Sequence, residues 1–259
     1  MPANSAAWLI AEKATPLEVK SAPYTSPGEN EILIKNGAVA INPVDWAIQA
    51  RGSALFPWVQ YPIILGGDVA GEVVEVGSGV SRFKVGDHVL GFATGLDGRT
   101  SHGAFQTYTI LRASVASTIP GSLSYEDASV IPLALSTAAS GMFSKDMLAL
   151  EYPTVNPKPT GQTLLVWGGS TSVGCMAVQL GVSAGYEIIS TASPKNFDLV
   201  KKLGASQVFD YSCPTVVSDL IAAFKGKICA GAVAIGHPLT TATSGLSEAC
   251  VEVVAKSEG

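Results

Sequence analysis

Val166-Trp-Gly-Gly-Ser-Thr-Ser-Val-Gly174 decides the fold. It follows Thr163-Leu-Leu-Val-Trp167, a continuous apolar run of the kind carried by a strand buried on both faces. It precedes a helical pattern from Val173 to Ala184. Strand, glycine-rich turn and helix, in that order, are the context a dinucleotide phosphate requires. Gly168 permits the tight turn, Gly169 and the small Ser170 let the backbone approach a pyrophosphate, and Gly174 permits close helix–sheet packing. The helix start at Val173 adds N–H groups and a partial positive charge. Ser170, Thr171 and Ser172 add hydroxyl donors. The spacing departs from a strict GxGxxG, so a tight strand-to-helix turn without a ligand stands as the alternative.

Downstream, Tyr186–Thr191 reads as a second strand, Asn196–Leu203 as a helix capped by Asn196 or Ser193, and Gln207–Asp210 as a third strand. Val216–Phe224 is helical, Ala230–Ile235 a fourth strand, and residues 240–256 a last helix. Such alternation means βαβ units and a parallel sheet. A full doubly wound sheet has about six strands, so four strands imply a chain lacking the last ones. The second strand runs out into Thr191-Ala-Ser-Pro-Lys-Asn196, with no carboxylate before Asp198. A preference for NAD would place an acidic residue there, to hold the ribose hydroxyls. Ser193 and Lys195, in one run with Pro194 and Asn196, instead suit a 2′-phosphate, with Tyr211 beside the adenine and phosphate, so NADPH is the expected cofactor. A turn serine and a surface lysine are the alternative.

Upstream the texture is β-rich. Glu31–Lys35, Val69–Val76, Val85–Gly91 and Phe105–Ile110 read as short strands with glycine punctuation, a barrel or sandwich-like module. Tyr152-Pro-Thr-Val-Asn-Pro-Lys-Pro159 reads as an extended linker, giving domains at 1–150 and 151–259. A net charge of −5 without basic runs removes the electrostatic driver for nucleic-acid binding. No apolar stretch approaches the ~20 residues that span a bilayer, and the first residues lack a signal-peptide pattern, so a cytoplasmic protein is expected. Cys175, Cys213, Cys229 and Cys250 show neither CxxC spacing nor a disulfide framework.

Asn42-Pro-Val-Asp45, Leu65 to Gly77, Phe83 to Gly91, Pro132-Leu-Ala-Leu-Ser-Thr-Ala138, Gly168 to Gly174 and Ser193 to Asn196 together resemble the medium-chain dehydrogenases/reductases. More narrowly, they resemble zinc-free, quinone oxidoreductase-like members and the fungal trans-acting enoyl reductases that serve polyketide synthases. The resemblance implies an α/β fold: a GroES-like β-barrel domain followed by an incomplete Rossmann domain. It implies that Pro43, Val44 and Asp45 lie near the nicotinamide ribose, and that Pro132, Leu133, Ser136 and Thr137 line the substrate side. Asn42 or Thr137 is then the donor to a substrate carbonyl, with capping of an Asn-Pro turn as the other role for Asn42 and Asp45. Tyr61, Arg51 and Lys145 are further candidate donors.

The zinc-dependent relatives carry a Cys where Asn42 stands and Gly-His-Glu where this chain reads Gly66-Gly67-Asp68. No cysteine precedes Cys175, and His88, His102 and His237 are dispersed, so no metal site is expected. Without a Lewis acid, alcohol oxidation loses its main support, whereas hydride delivery to a polarised C=C bond needs mostly positioning. The expected function is NADPH-dependent reduction of an enoyl thioester or enone, with a polyketide synthase as a candidate partner. A non-catalytic dinucleotide-binding fragment, acting as an interaction module, is the competing expectation.

Overall fold

Strands Asn4–Leu9 (β1), Glu18–Ala22 (β2), Glu31–Ala40 (β3), Ile63–Ile64 (β4), Asp68–Val76 (β5), His88–Phe92 (β6), Tyr108–Arg112 (β7) and Ala116–Thr118 (β8) form two antiparallel sheets. Their orders are β2-β1-β4 and β7-β3-β5-β6-β8. The computed structural model describes residues 2–236 and 245–257. The sheets are stitched by an Ala6–Gln106 bridge and by bonds from Ala7 N to Phe105 O and from Thr107 N to Ser5 O. This is the closure of a barrel: Ile32, Ile34, Val69, Val73, Val89 and Leu111 form its main buried cluster, with smaller ones around Leu9 and Ile64.

Several strands depart from their expected bounds for local reasons. β3 continues past Lys35 to Ala40 because a register shift at Asn36/Ala38 keeps it paired with β5 across a non-apolar stretch. β6 begins at His88 because Asp87 closes a turn, accepting from Lys84 N at 3.0 Å. β7 begins at Tyr108 because Phe105 and Thr107 bond across to other segments. Pro43–Arg51 is a helix (α1), expected only as a turn. Its Pro at the first position and Asp at the third are helix-start chemistry.

Tyr125–Ser129 (α2) is capped by Ser124, whose hydroxyl accepts from Asp127 N. Pro132–Phe143 (α3) carries the chain from the first compact unit, Met1–Leu133, into the second, Ala134–Gly259. This division precedes the 150/151 boundary because Ala138, Met142, Phe143 and Leu150 all pack into the second unit's core.

The second unit alternates Gln162–Trp167 (β9), Ser172–Ser183 (α4), Glu187–Ala192 (β10), Phe197–Lys202 (α5), Gln207–Asp210 (β11), Val216–Phe224 (α6), Ile228–Ala234 (β12) and Leu246–Ser257 (α7). Residues 240–244 of the expected last helix lie outside the described residues. The four strands are parallel, in the order β11-β10-β9-β12. Period-2 alternation sends Leu164, Val166 and Ile188 to one face, against α3, α4 and α5. It sends Leu165 and Ile189 to the other, against Val216, Leu220 and Phe224 of α6 and Val253 of α7. Each such side chain contributes about 1.5–3 kcal/mol by leaving water. This is the doubly wound arrangement, and the order reverses between β9 and β12. In open α/β sheets ligands bind outside the carboxyl ends of the strands at such a reversal. Among the described residues no helix is long and apolar enough to cross a membrane.

Candidate functional site

The reversal point is occupied by the turn after β9. Gly168 takes φ +84°, a left-handed conformation that favours glycine. Its N–H donates to Thr191 Oγ1 at 3.0 Å, and Gly169 N donates to Thr191 O at 2.9 Å, so the end of β10 holds the turn. Thr171 caps α4: its hydroxyl accepts from Gly174 N at 3.0 Å and donates to Gly168 O at 2.8 Å. A Cβ on Gly174 would lie 2.1 Å from Gly168 O, so this glycine is required by the turn itself rather than by the sheet. A Cβ on Gly169 would meet Ser190 Oγ at 2.1 Å. That absent side chain therefore makes room for β10, inside the unit. Ser172 and Val173, the first helical residues, have N–H groups without intrahelical acceptors. Thr171 and Ser172 are exposed and Ser170 half-buried, so these donors face an accessible surface.

A second group of donors gathers beside the turn. Ser193 begins a 3-10 turn, Pro194–Asn196, that leads into α5. Asn196 occupies the cap position of α5 without a side-chain cap bond; its amide donates to Ser170 Oγ at 3.2 Å. Ser193 Oγ and Tyr211 OH are 2.9 Å apart. Lys195 is exposed. Hydroxyls, an amide and an ammonium, with no carboxylate at the end of β10, are a donor set that fits a phosphorylated nucleotide.

The first unit holds a polar cluster at the start of α1. Asp45 is 5% exposed; its carboxylate accepts from Asn42 N at 2.8 Å and from Gly66 N at 3.1 Å. Burial pushes the Asp45 carboxyl up to about 6, against those hydrogen bonds and with help from Asp68. Asn42 Nδ2 donates to Asp68 Oδ2 at 2.8 Å, and Leu133 N donates to Asp68 Oδ1 at 2.6 Å. Asp68 is 1% exposed, and burial raises its carboxyl too. The structure thus brings Asn42, Asp45 and Leu133 together around Asp68. No local pattern marks this grouping, since the partners lie 26 and 65 positions from Asp68. Pro43 is exposed and Val44 half-buried.

Along α3, Pro132 is buried, Leu133 and Ser136 are half-buried, and Thr137 is exposed. Of the further donors, Tyr61 has a buried hydroxyl without a hydrogen-bond partner among the described residues, and burial raises its phenol. Arg51 ends α1. His88 opens β6 and stacks on Tyr125 with ring centroids 5.0 Å apart, while His102 is fully buried with Nδ1 3.0 Å from Asp97. His237 lies outside the described residues. Among the described residues no three His, Cys, Asp or Glu side chains are grouped to hold a metal ion.

Residues 28–121 match the alcohol dehydrogenase GroES-like domain. The chain is 56% identical over 263 residues to dehydrogenase pigH of Monascus ruber, spanning all of this chain and 69% of that protein. It is 42% identical over 218 residues to trans-enoyl reductase himH of Aspergillus japonicus, covering 84% of this chain and 62% of that one. An alcohol dehydrogenase superfamily protein from Novosphingobium aromaticivorans superposes with a TM-score of 0.72 at 30% identity, over 85% of this chain and 62% of its own. With a GroES-like unit and a parallel unit in Rossmann order, the chain belongs to the medium-chain dehydrogenase/reductase family, whose oxidoreductases use a nicotinamide cofactor.

Proposed function

We propose that the protein reduces a polarised C=C bond, in an enoyl thioester or enone, with NADPH and without zinc. The observation that carries this is the absence of a carboxylate at the end of β10, where Ser193, Lys195, Asn196 and Tyr211 gather instead beside the turn Gly168–Gly174. The turn's N–H groups and the start of α4 take the diphosphate. Lys195 supplies the point charge, and Ser193 and Tyr211 supply hydroxyls, for a 2′-phosphate.

When bound, NADPH supplies the hydride. Asn42 offers an amide N–H to the substrate carbonyl, stabilising the negative charge that develops there, and Thr137 is the second candidate for that role. Pro43, Val44 and Asp45 form the surface toward the nicotinamide ribose, and Pro132, Leu133 and Ser136 the surface toward the acyl chain. The name of the himH relative supports an enoyl substrate; its presentation by a polyketide synthase is part of the proposal.

The test is NADPH consumption with an α,β-unsaturated thioester, with and without a chelator. Turnover indifferent to chelation supports the proposal. Turnover lost on chelation and restored by zinc overturns its metal-free part. Tight NADPH binding with no consumption of any enoyl or enone acceptor points to a binding module.

A further inference from the structure

We propose that Asp68 is a positioning residue that fixes which end of the Asn42 amide is offered to substrate and anchors the start of helix α3. The inference rests on the proposed enoyl-reductase function and assigns a role to a residue outside the cofactor and substrate surfaces named for it.

Asp68 opens β5 and is 1% exposed, yet carries a carboxylate. A buried carboxylate is tolerated only where donors surround it. Here Oδ2 takes Asn42 Nδ2 at 2.8 Å and Oδ1 takes Leu133 N at 2.6 Å. Leu133 is the second residue of α3, so its N–H is one that the helix cannot satisfy internally, and the negative charge sits at the helix's positive end. Four residues further along the same helix stands Thr137.

The consequence for Asn42 follows from the donor inventory. An ionised carboxylate only accepts, so the Asn42 amide must turn its nitrogen toward Asp68. That leaves one N–H of the same nitrogen for a substrate carbonyl. A neutral partner at position 68 would both donate and accept, and the amide would be free to turn its oxygen inward. The groups facing Asp68 that hold it are Asn42 and Leu133; the nearby charge is Asp45, which is itself engaged by Asn42 N and Gly66 N.

The test compares the unaltered chain, Asp68→Asn, and the exchanged pair Asn42→Asp with Asp68→Asn, each measured for kcat, KM, NADPH affinity and thermal midpoint. The exchange restores a donor–acceptor pair between positions 42 and 68 and keeps an acceptor for Leu133 N, but removes the amide from position 42. Asp68→Asn is expected to lower kcat at least tenfold while NADPH affinity stays within twofold. The exchanged pair is expected to recover the thermal midpoint without recovering kcat. A kcat within twofold of the unaltered chain in Asp68→Asn, or one that returns with the midpoint in the exchanged pair, overturns the inference. Should Asp68→Asn fail to fold, the unaltered chain decides. A kcat that falls on the acid side through one protonation above the ordinary aspartate range, at constant NADPH affinity and in Asp45→Asn as well, supports the role; a flat profile, or a fall that disappears in Asp45→Asn, refutes it. An unaltered chain that binds NADPH but reduces no enoyl substrate brings down the proposed function and this inference with it. An active one with an indifferent Asp68 brings down the inference alone.

Discussion

Ser193 and Tyr211, just beyond the carboxyl ends of the neighbouring parallel strands β10 and β11, share a hydrogen bond of 2.9 Å. Two strands of the sheet thereby present one polar corner beside the glycine turn, and Lys195 stands exposed two residues from Ser193. A charge-assisted bond to a phosphate is worth about 1.5–3 kcal/mol. Lys195→Ala is therefore expected to weaken NADPH by roughly 10–100-fold and to leave NADH affinity nearly unchanged. Titration calorimetry with both nucleotides checks this, and equal losses for the two would contradict it.

Gly174 is held against the carbonyl of Gly168, where an added methyl would sit at 2.1 Å. Gly174→Ala must push α4 away from the turn, at a cost of about 1–3 kcal/mol. The thermal midpoint is expected to fall by several degrees, with weakened binding of both nucleotides, because the diphosphate donors move with the helix. A variant with an unchanged melting curve and unchanged nucleotide affinity would show that the turn has slack the structure does not display.

Asp45 and its ordinary relatives titrate on opposite sides of mild acid. Its carboxyl is raised from 3.8 to about 6, chiefly by burial. Between those pH values the folded protein keeps a proton that the unfolded chain releases. The group's contribution to stability is thus fully present below 3.8 and is lost as pH rises through about 6. Carboxyl-carbon NMR on the folded protein is expected to give a midpoint near 6 for this residue. A midpoint in the ordinary aspartate range would mean that its two backbone donors outweigh its burial.

Much of the second unit was legible in its sequence, because buried parallel strands and amphipathic helices write their periods locally. β11 and α6 run over the residues expected of them, Gln207–Asp210 and Val216–Phe224. The first unit was less legible. Its edge strand β2 is nearly all exposed and polar, so it carries no apolar signal, and β4 is two residues long. α1 was missed although Asn42-Pro-Val-Asp45 announces a helix start, because its exposed Trp46 and buried Asp45 blur the apolar stripe. At the candidate site, the turn at Gly168 was readable from strand–turn–helix order, whereas Thr171, expected as a free hydroxyl donor, caps α4 and donates to Gly168 O. Asp68 was not, since its role exists only once strands and helix distant in sequence meet.

Glu187 ties the opposite end of the sheet. It accepts from Thr163 Oγ1 of β9 and Ser206 Oγ at 2.9 Å each, and from Lys227 Nζ at 2.6 Å. The Lys227 bond holds the carboxyl below its ordinary 4.5. A depressed folded value means that this stabilisation is present above 4.5 and lost as pH falls below it. The pair is partly exposed, so Glu187→Gln is expected to cost about 1 kcal/mol, with no change in NADPH affinity. Denaturant unfolding at neutral and acid pH checks both parts: the difference between variant and unaltered chain should vanish at low pH, and a constant difference would contradict it.

A structure of the protein with NADPH bound tests the central claim most directly. The diphosphate is expected against the N–H groups of the turn between Ser170 and Gly174, with the 2′-phosphate in hydrogen-bond reach of Ser193, Lys195 or Tyr211. A diphosphate seated elsewhere, or a 2′-phosphate pointing to solvent away from all three side chains, would contradict it.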